Sequence, residues 1–285
     1  MVTASYARRT SLVALRTTSF MRWRRRARLR TSFCPRLCAR PGATAIFLRE
    51  MQIFRLRIVR PTYALSSLIT PLMYLLVFGL GLGRQVRIDG SDYLSFLIPG
   101  LIGMTAMSNA FSWVAGAINF SRFYYRTWAL VILAPVSPFA ICAGNIAAGL
   151  ARALIAISLI ALTGLAAGWR PMLTPVFPLA LLVEMVCFAA LGVLVGVKTK
   201  TSEEHMAYAN FLITPMGFFC GTFFPLDNLP IWLAYPLRAL PLTQATVALR
   251  SPGFTAEACL ALGALALITG LVLFLAVRAV ADYAE

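Results

Sequence analysis

Apolar residues run in long blocks along most of this chain, separated by short polar or proline-containing turns. A helix that crosses a bilayer needs roughly 20 apolar residues to span a hydrocarbon core of about 30 Å. Six runs meet that need, at about 62–82, 94–118, 139–165, 175–197, 207–225 and 256–278. Ahead of the first run the pattern is different. Phe47, Met51, Phe54 and Ile58 recur at helical spacing over residues 43–60, while Arg49, Gln52, Arg57 and Arg60 fall on the other sides. That stripe predicts an amphipathic helix in the membrane interface, its basic residues against anionic headgroups. A plain juxtamembrane linker is the alternative.

The connection at 226–255 is long yet still apolar, with Leu229, Ile231, Trp232, Leu233, Leu237, Leu240 and Leu242. Pro225, Pro230, Pro236 and Pro241 forbid one continuous helix, and Asp227 or Asn228 is placed to cap a short helix starting near Leu229. Two short helices dipping into or lying on the outer leaflet fit this pattern, provided protein or water covers their free backbone groups. The predicted fold is an all-α integral membrane protein of about six transmembrane helices. It has an amino-terminal amphipathic interfacial helix and an outer re-entrant helical hairpin between spans five and six.

Composition agrees, with 60% hydrophobic residues, 13% charged residues and a mean hydropathy of +0.79. A net charge of +16 suggests nucleic acid until its distribution is considered. Fifteen of the 26 Lys and Arg precede Thr62, and the others form no basic face with interleaved aromatics, so no nucleic-acid partner is expected. Residues 1–42 hold eleven Arg and no acid, so this stretch cannot bury a core and reads as a disordered basic extension of a 43–285 membrane domain. A transit peptide, a faint twin-arginine signal at Arg8-Arg9-Thr10 and a true start at Met21 are the other readings. Beyond the tail, basic residues tie at five on each side. Arg122, Arg126, Lys198, Lys200 and Arg278 face one side, and Arg84, Arg87, Arg170, Arg238 and Arg250 the other. The tail therefore decides the orientation, and it puts both termini in the cytoplasm.

The chain carries little chemistry of its own. Lys198 follows Val197 and Lys200 follows Thr199, so no glycine precedes a lysine and the phosphate-cradling Walker A loop is absent. A single histidine, His205, argues against a zinc or bis-histidine haem site. Apart from Cys34 and Cys38 the six cysteines show no paired spacing. No metal, cofactor or catalytic group is expected, and the chain reads as a non-enzyme. Arg152 in the third span and Glu184 in the fourth are intramembrane charges. They either line a substrate path or dimer interface, or pair with each other. Between the second and third spans, Ser121–Pro138 ("SRFYYRTWALVILAPVSP") is a short basic aromatic segment with Phe123, Tyr124, Trp128 and Val131 near helical spacing, ended by Pro135 and Pro138.

From about Ile46 onward the chain resembles the type-2 ABC transporter permeases, the membrane subunits of bacterial exporters for lipid-linked glycans, nodulation factors and lipophilic drugs. Three stretches carry the resemblance. Tyr93–Gly100 ("YLSFLIPG") looks like the family's start of the second span. Arg126–Gly144 ("RTWALVILAPVSPFAICAG") is similar to the loop that meets the ATP-binding subunit. Gly221–Leu242 ("GTFFPLDNLPIWLAYPLRALPL") is similar to the family's Gly-x-Phe-Phe-Pro, Leu-Pro and Pro-Leu sequence after the fifth span. Residues 1–42 match nothing in that pattern.

The resemblance implies a permease subunit of an ATP-driven exporter in the bacterial inner membrane, moving an amphipathic or lipid-linked substrate outward. It would pair with a second permease copy, as a homo- or heterodimer, within membrane lipid, and ATP would be hydrolysed by a separate subunit. It makes Arg122, Arg126, Thr127, Trp128, Pro135 and Pro138 candidates for the coupling loop. The same reasoning makes Gly221, Phe223, Phe224, Pro225, Leu229, Pro230, Pro241 and Leu242 candidates for the outer hairpin. An ion-gradient-driven secondary transporter is the alternative, though such carriers usually hold more ionisable groups mid-membrane.

Overall fold

The computed structural model of the chain describes residues 73–74, 76–77, 87–88, 91–133, 136–166, 168–169, 174–223 and 230–284. The predicted interfacial helix at 43–60 lies outside them. So does the first predicted span, except for Met73, Tyr74, Leu76 and Val77.

A two-residue antiparallel ladder, β1 (Arg87–Ile88) against β2 (Ser91–Asp92), leads into α1 (Tyr93–Asn119). The remaining helices are α2 (Trp128–Ile132), α3 (Pro138–Ala166), α4 (Val176–Lys198), α5 (Ser202–Phe219), α6 (Ile231–Arg238), α7 (Pro241–Arg250) and α8 (Ala256–Ala284). Four of the described helices are long and apolar enough to cross a membrane: α1 with its extension to Tyr124, α3, α4 and α8. They coincide with the runs at 94–118, 139–165, 175–197 and 256–278, with α8 running on to Ala284.

The fifth run is displaced from 207–225, because α5 has 18 residues and ends at Phe219. Its start is set by Thr201, whose side-chain oxygen accepts from the Glu204 N–H at 3.1 Å, while the Glu204 carboxylate accepts from the Lys200 N–H at 2.8 Å. Such reciprocal capping satisfies amide groups that the first turn would otherwise leave open. Beyond its far end Gly221 takes φ +79°, a left-handed conformation that favours glycine and turns the chain away from the helix. With Glu203 and Glu204 in its first turn, α5 is not among the four long apolar helices.

Two other expectations change. The segment after the second span is not one helix. The end of α1 widens into a π-helical turn, Phe120–Tyr124, and the chain then breaks at Arg126, whose φ of +50° is rare for a residue with a side chain. Only afterwards does α2 begin. In the connection predicted at 226–255 two short helices are present, α6 and α7, but α6 is entered through Pro230, without a side-chain cap, and starts at Ile231. The proline has no N–H to satisfy and a fixed φ, so it opens the helix on its own; Asp227, Asn228 and Leu229 lie outside the described residues.

The core lies along α1, which packs chiefly on α4 and α3, with α8 on the far side of α4. Phe111, Phe188, Met107 and Ile118 are wholly buried there. Lipid tails are as apolar as side chains, so close packing rather than hydrophobic segregation holds such helices together. Gly192 shows how close: a Cβ placed there would lie 2.8 Å from the Phe111 carbonyl oxygen, so only glycine lets α4 approach α1.

Candidate functional site

At one end of α1 the candidate coupling residues gather around Arg122. Its Nη1 donates to the carbonyl oxygens of Gly196, Val197 and Thr199 at 2.6, 2.8 and 2.8 Å. These are acceptors at the carboxyl end of α4, where carbonyls lack helical partners and a cation is favoured by the helix dipole. The guanidinium also lies over the rings of Phe123 and Tyr283, at 5.1 and 5.0 Å. Arg122 thus ties the π-helical turn to the ends of α4 and α8. Ser202 donates to the Asn119 side-chain oxygen at 3.2 Å and joins α5 to the same knot.

Beyond the knot the chain turns outward. Tyr125 N–H donates to the Phe120 carbonyl and Thr127 N–H to that of Ser121, both at 2.9 Å, which closes a wide helix stop around the left-handed Arg126. Thr127 then precedes α2 without a side-chain capping bond. Trp128 is buried and anchors α2, whereas Arg126 is exposed and Leu130 and Leu133 are 61% and 81% exposed, beside exposed Tyr124 and Tyr125. Pro138 begins α3, and Pro135 lies outside the described residues.

At the opposite end of α1 the candidate hairpin residues gather around a residue that sequence reasoning passed over, Arg250 at the end of α7. Its Nε donates to the Phe96 carbonyl at 3.2 Å, its Nη1 to Gly221 at 2.7 Å and its Nη2 to Thr222 at 3.1 Å. The guanidinium lies 3.6 Å from the centre of the Phe96 ring. Burial pushes the Arg250 pKa down to about 9, with Tyr93 opposing the shift, so the group stays a cation at neutral pH. Tyr93 itself donates its hydroxyl to the Phe223 carbonyl at 3.0 Å. Gly100 completes the fit, since a Cβ there would stand 2.6 Å from Arg250 Nη2 and 2.7 Å from the Thr222 carbonyl oxygen.

The stretches Tyr93–Gly100 and Gly221–Leu242, far apart in sequence, therefore meet on one guanidinium. Gly221 and Phe223 are buried in this junction, Pro241 opens α7, Leu242 is fully buried behind it, and Pro230 is exposed at the start of α6. Phe224, Pro225 and Leu229 lie outside the described residues. The one signal for Arg250 in the sequence was its place as a lone cation closing an apolar segment.

The two intramembrane charges do not meet. Glu184 is 0% exposed on α4 and neither carboxyl oxygen has a hydrogen-bond partner; both lie 3.5 Å from where a Cβ on Gly103 would stand. Arg152, midway along α3, lies over the Trp113 ring at 4.8 Å. It lines a cavity of about 190 Å³ with Asn109, Ser112, Trp113, Gly116, Ala117 and Phe120 of α1 and its extension. Gly103 and Ser112 are nine residues apart, which at 3.6 residues per turn puts them about 180° apart on α1. Glu184 and Arg152 thus face opposite sides of one helix. Among the described residues no cluster of His, Cys, Asp or Glu is suited to holding a metal ion.

Known proteins are similar to this chain over most of its length. The ABC-2 type transporter family matches residues 44–254. The chain is 30% identical over 208 residues to Nodulation protein J of Rhizobium leguminosarum bv. viciae, covering 70% of this chain and 80% of that protein. It is also 32% identical over 170 residues to the inner membrane transport permease YadH of Escherichia coli K12, covering 57% of this chain and 64% of that one. With four long apolar helices and a family match over most of its length, the chain belongs to the ABC-2 type transporter permeases, multi-pass membrane subunits that work with a separate ATP-binding subunit.

Proposed function

We propose that this chain is the permease of an ATP-driven exporter, carrying an amphipathic or lipid-linked substrate outward across the bacterial cytoplasmic membrane. The observation that carries this reading is the exposed apolar face of α2. Leu130 on α2, Leu133 just after it, and Tyr124, Tyr125 and Arg126 before it are all exposed, and exposed apolar residues outside the long apolar helices suit a partner surface. In this reading the Arg122 end faces the cytoplasm, α2 is the contact for the ATP-binding subunit, and Arg122, Arg126, Thr127, Trp128, Pro135 and Pro138 form the coupling loop. Two copies pair within membrane lipid. The first and fifth runs complete six spans, both termini are cytoplasmic, and residues 1–42 are a separate basic extension. The pair α6 and α7 forms the outer re-entrant hairpin, with Gly221, Phe223, Phe224, Pro225, Leu229, Pro230, Pro241 and Leu242 at its base. The names of the relatives, a nodulation protein and an inner membrane transport permease, support transport across that membrane.

The test is co-purification and coupling. An ATP-binding subunit is expected to purify from membranes with the wild-type chain. Leu130→Asp should release it, and Arg126→Glu should leave it bound but separate ATP hydrolysis from export. Transport that continues with no ATP-binding partner would overturn this reading in favour of an ion-driven carrier.

A further inference from the structure

α2 joins the helix bundle through one irregular turn. The end of α1 widens into the π-helical turn Phe120–Tyr124, the backbone reverses at Arg126 with φ +50°, and α2 follows at once. Turns of this width are rare and often mark functional sites. Two kinds of contact hold this one. Its backbone is closed by the Tyr125 N–H to the Phe120 carbonyl and the Thr127 N–H to the Ser121 carbonyl, both at 2.9 Å. Its side chains are held by Arg122, in the middle of the turn, whose Nη1 reaches the carbonyls of Gly196, Val197 and Thr199 at 2.6, 2.8 and 2.8 Å. The rest of that end of the bundle is already firm. A Cβ on Gly196 would lie 3.0 Å from the Ile118 Cβ, so the last turns of α1 and α4 are packed backbone to side chain.

We infer that Arg122 is the positioning residue of the coupling loop: it fastens the turn that carries α2 to the carboxyl end of α4, so that a displacement of α2 moves the membrane bundle rather than α2 alone. The chemistry of the joint suits that task. Carbonyls in the last turn of a helix lack helical partners and carry the negative end of its dipole, so a guanidinium holds them by charge as well as by hydrogen bonds. The rings of Phe123 and Tyr283, 5.1 and 5.0 Å from the same guanidinium, bring the turn itself and the end of α8 against it. α5 is drawn in as well, because only residues 199–201 separate it from α4 and its first residue, Ser202, donates to the Asn119 side-chain oxygen at 3.2 Å. Arg126 differs on every count: it is exposed and sits at the break beyond the turn. The inference rests on the exporter reading and divides its coupling loop into two parts. Arg126 and α2 receive the push of the ATP-binding subunit, and Arg122, half-buried against its own chain, passes it on.

The test uses the full chain isolated through a tag on its ATP-binding subunit, so that only assembled complexes are measured. Spin labels are placed singly, in a chain freed of its own cysteines, at Ala129→Cys on α2 or Lys198→Cys at the end of α4, both exposed positions. The distance between the labels of the two copies is read without nucleotide and after trapping with ADP and vanadate. With Arg122 in place, trapping should shift both distances. Arg122→Ala should keep the shift at Ala129 and cut the shift at Lys198 at least twofold, and Arg122→Lys should restore it, since an ammonium also offers several hydrogens to clustered carbonyls. Arg122→Gln, which keeps an amide donor without the charge, should lose the Lys198 shift in the same direction and serves where alanine does not fold. A purely structural role would diminish both shifts together. Equal loss at the two positions, an undiminished Lys198 shift in Arg122→Ala and Arg122→Gln, a lysine that restores nothing, or no Lys198 shift with Arg122 in place overturns the inference. Each of these results comes from a complex with its ATP-binding subunit attached and leaves the exporter reading standing, whereas a chain that never purifies with such a subunit removes that reading and the inference with it.

Discussion

Arg122 and Arg250 stand at opposite ends of α1, and each gathers three backbone carbonyls from helix ends, yet they do it differently. Arg122 brings one nitrogen to the three carbonyl oxygens of Gly196, Val197 and Thr199. Arg250 brings three nitrogens to three oxygens, those of Phe96, Gly221 and Thr222, with the Phe96 ring packed on its face. The first arrangement asks for a positive point with several hydrogens. The second asks for a flat fork whose donors diverge, which an ammonium cannot imitate. The two ends also differ in surroundings. Around Arg250 the chain closes tightly, with Gly100 leaving no room for a methyl group, whereas the Arg122 knot gives onto an exposed helix and a left-handed turn. One end is built to stay shut, and the other presents a surface.

The comparison breaks first at Arg250. Arg250→Ala strips three carbonyls of charged donors, and each such bond is worth about 1.5–3 kcal/mol. It should cost the most stability, read as a large drop in the thermal midpoint of the detergent-solubilised protein, and Arg250→Lys should recover little of it. A lysine that restores the midpoint would show that the fork geometry is not what holds this end. Arg122→Ala should cost less, since its three carbonyls share the two hydrogens of one nitrogen instead of holding a donor each. Here Arg122→Lys should recover most of the loss, and equal failure of lysine at both positions would erase the distinction.

The smallest effect concerns His205, in the first turn of α5 next to the Arg122 knot. Its Nδ1 is buried without a hydrogen-bond partner, and burial lowers its pKa from 6.5. A histidine whose folded pKa lies below its unfolded value leaves stability undiminished above that unfolded value. Stability then falls with pH from 6.5 toward the lowered folded pKa, because the unfolded chain binds the proton first, and it levels off below. Thermal midpoints measured from pH 8 to pH 5 should decline over that window in the wild type and decline less in His205→Gln. Identical profiles would remove His205 as a source of the pH response.

Much of the fold was legible along the chain. The four long helices follow from runs of apolar residues, because a lipid-facing helix must be apolar nearly all round and cannot hide a charge without a partner. The short helices α6 and α7 were legible through their prolines, and the aromatic segment after the second span through its composition. Boundaries were less so. Residues 121–138 looked like one helical segment because Phe123, Tyr124, Trp128 and Val131 keep a near-helical period, but the period says nothing of the φ of Arg126, which breaks it. The N-cap position of α6 falls on Pro230, while Asp227 and Asn228, the expected caps, lie outside the described residues. Arg250 drew no attention as a site because a single arginine has no pattern, and only its three acceptors, drawn from 96, 221 and 222, reveal its role.

The sequence by itself determined that this protein lives in a membrane and that it is helical. Length and apolarity are properties of contiguous residues, and the solvent reads them locally. The tertiary structure decided which charges meet. Arg152 and Glu184 looked equally able to pair or to line a path, and the rotation of α1 between them put Gly103 toward one and Ser112 toward the other. Rotation about a helix axis is fixed by packing against neighbours far away in sequence, such as Gly192 against Phe111. No run of residues along α1 records it, so where a buried charge points, and what it could bind, becomes visible only once the helices are packed.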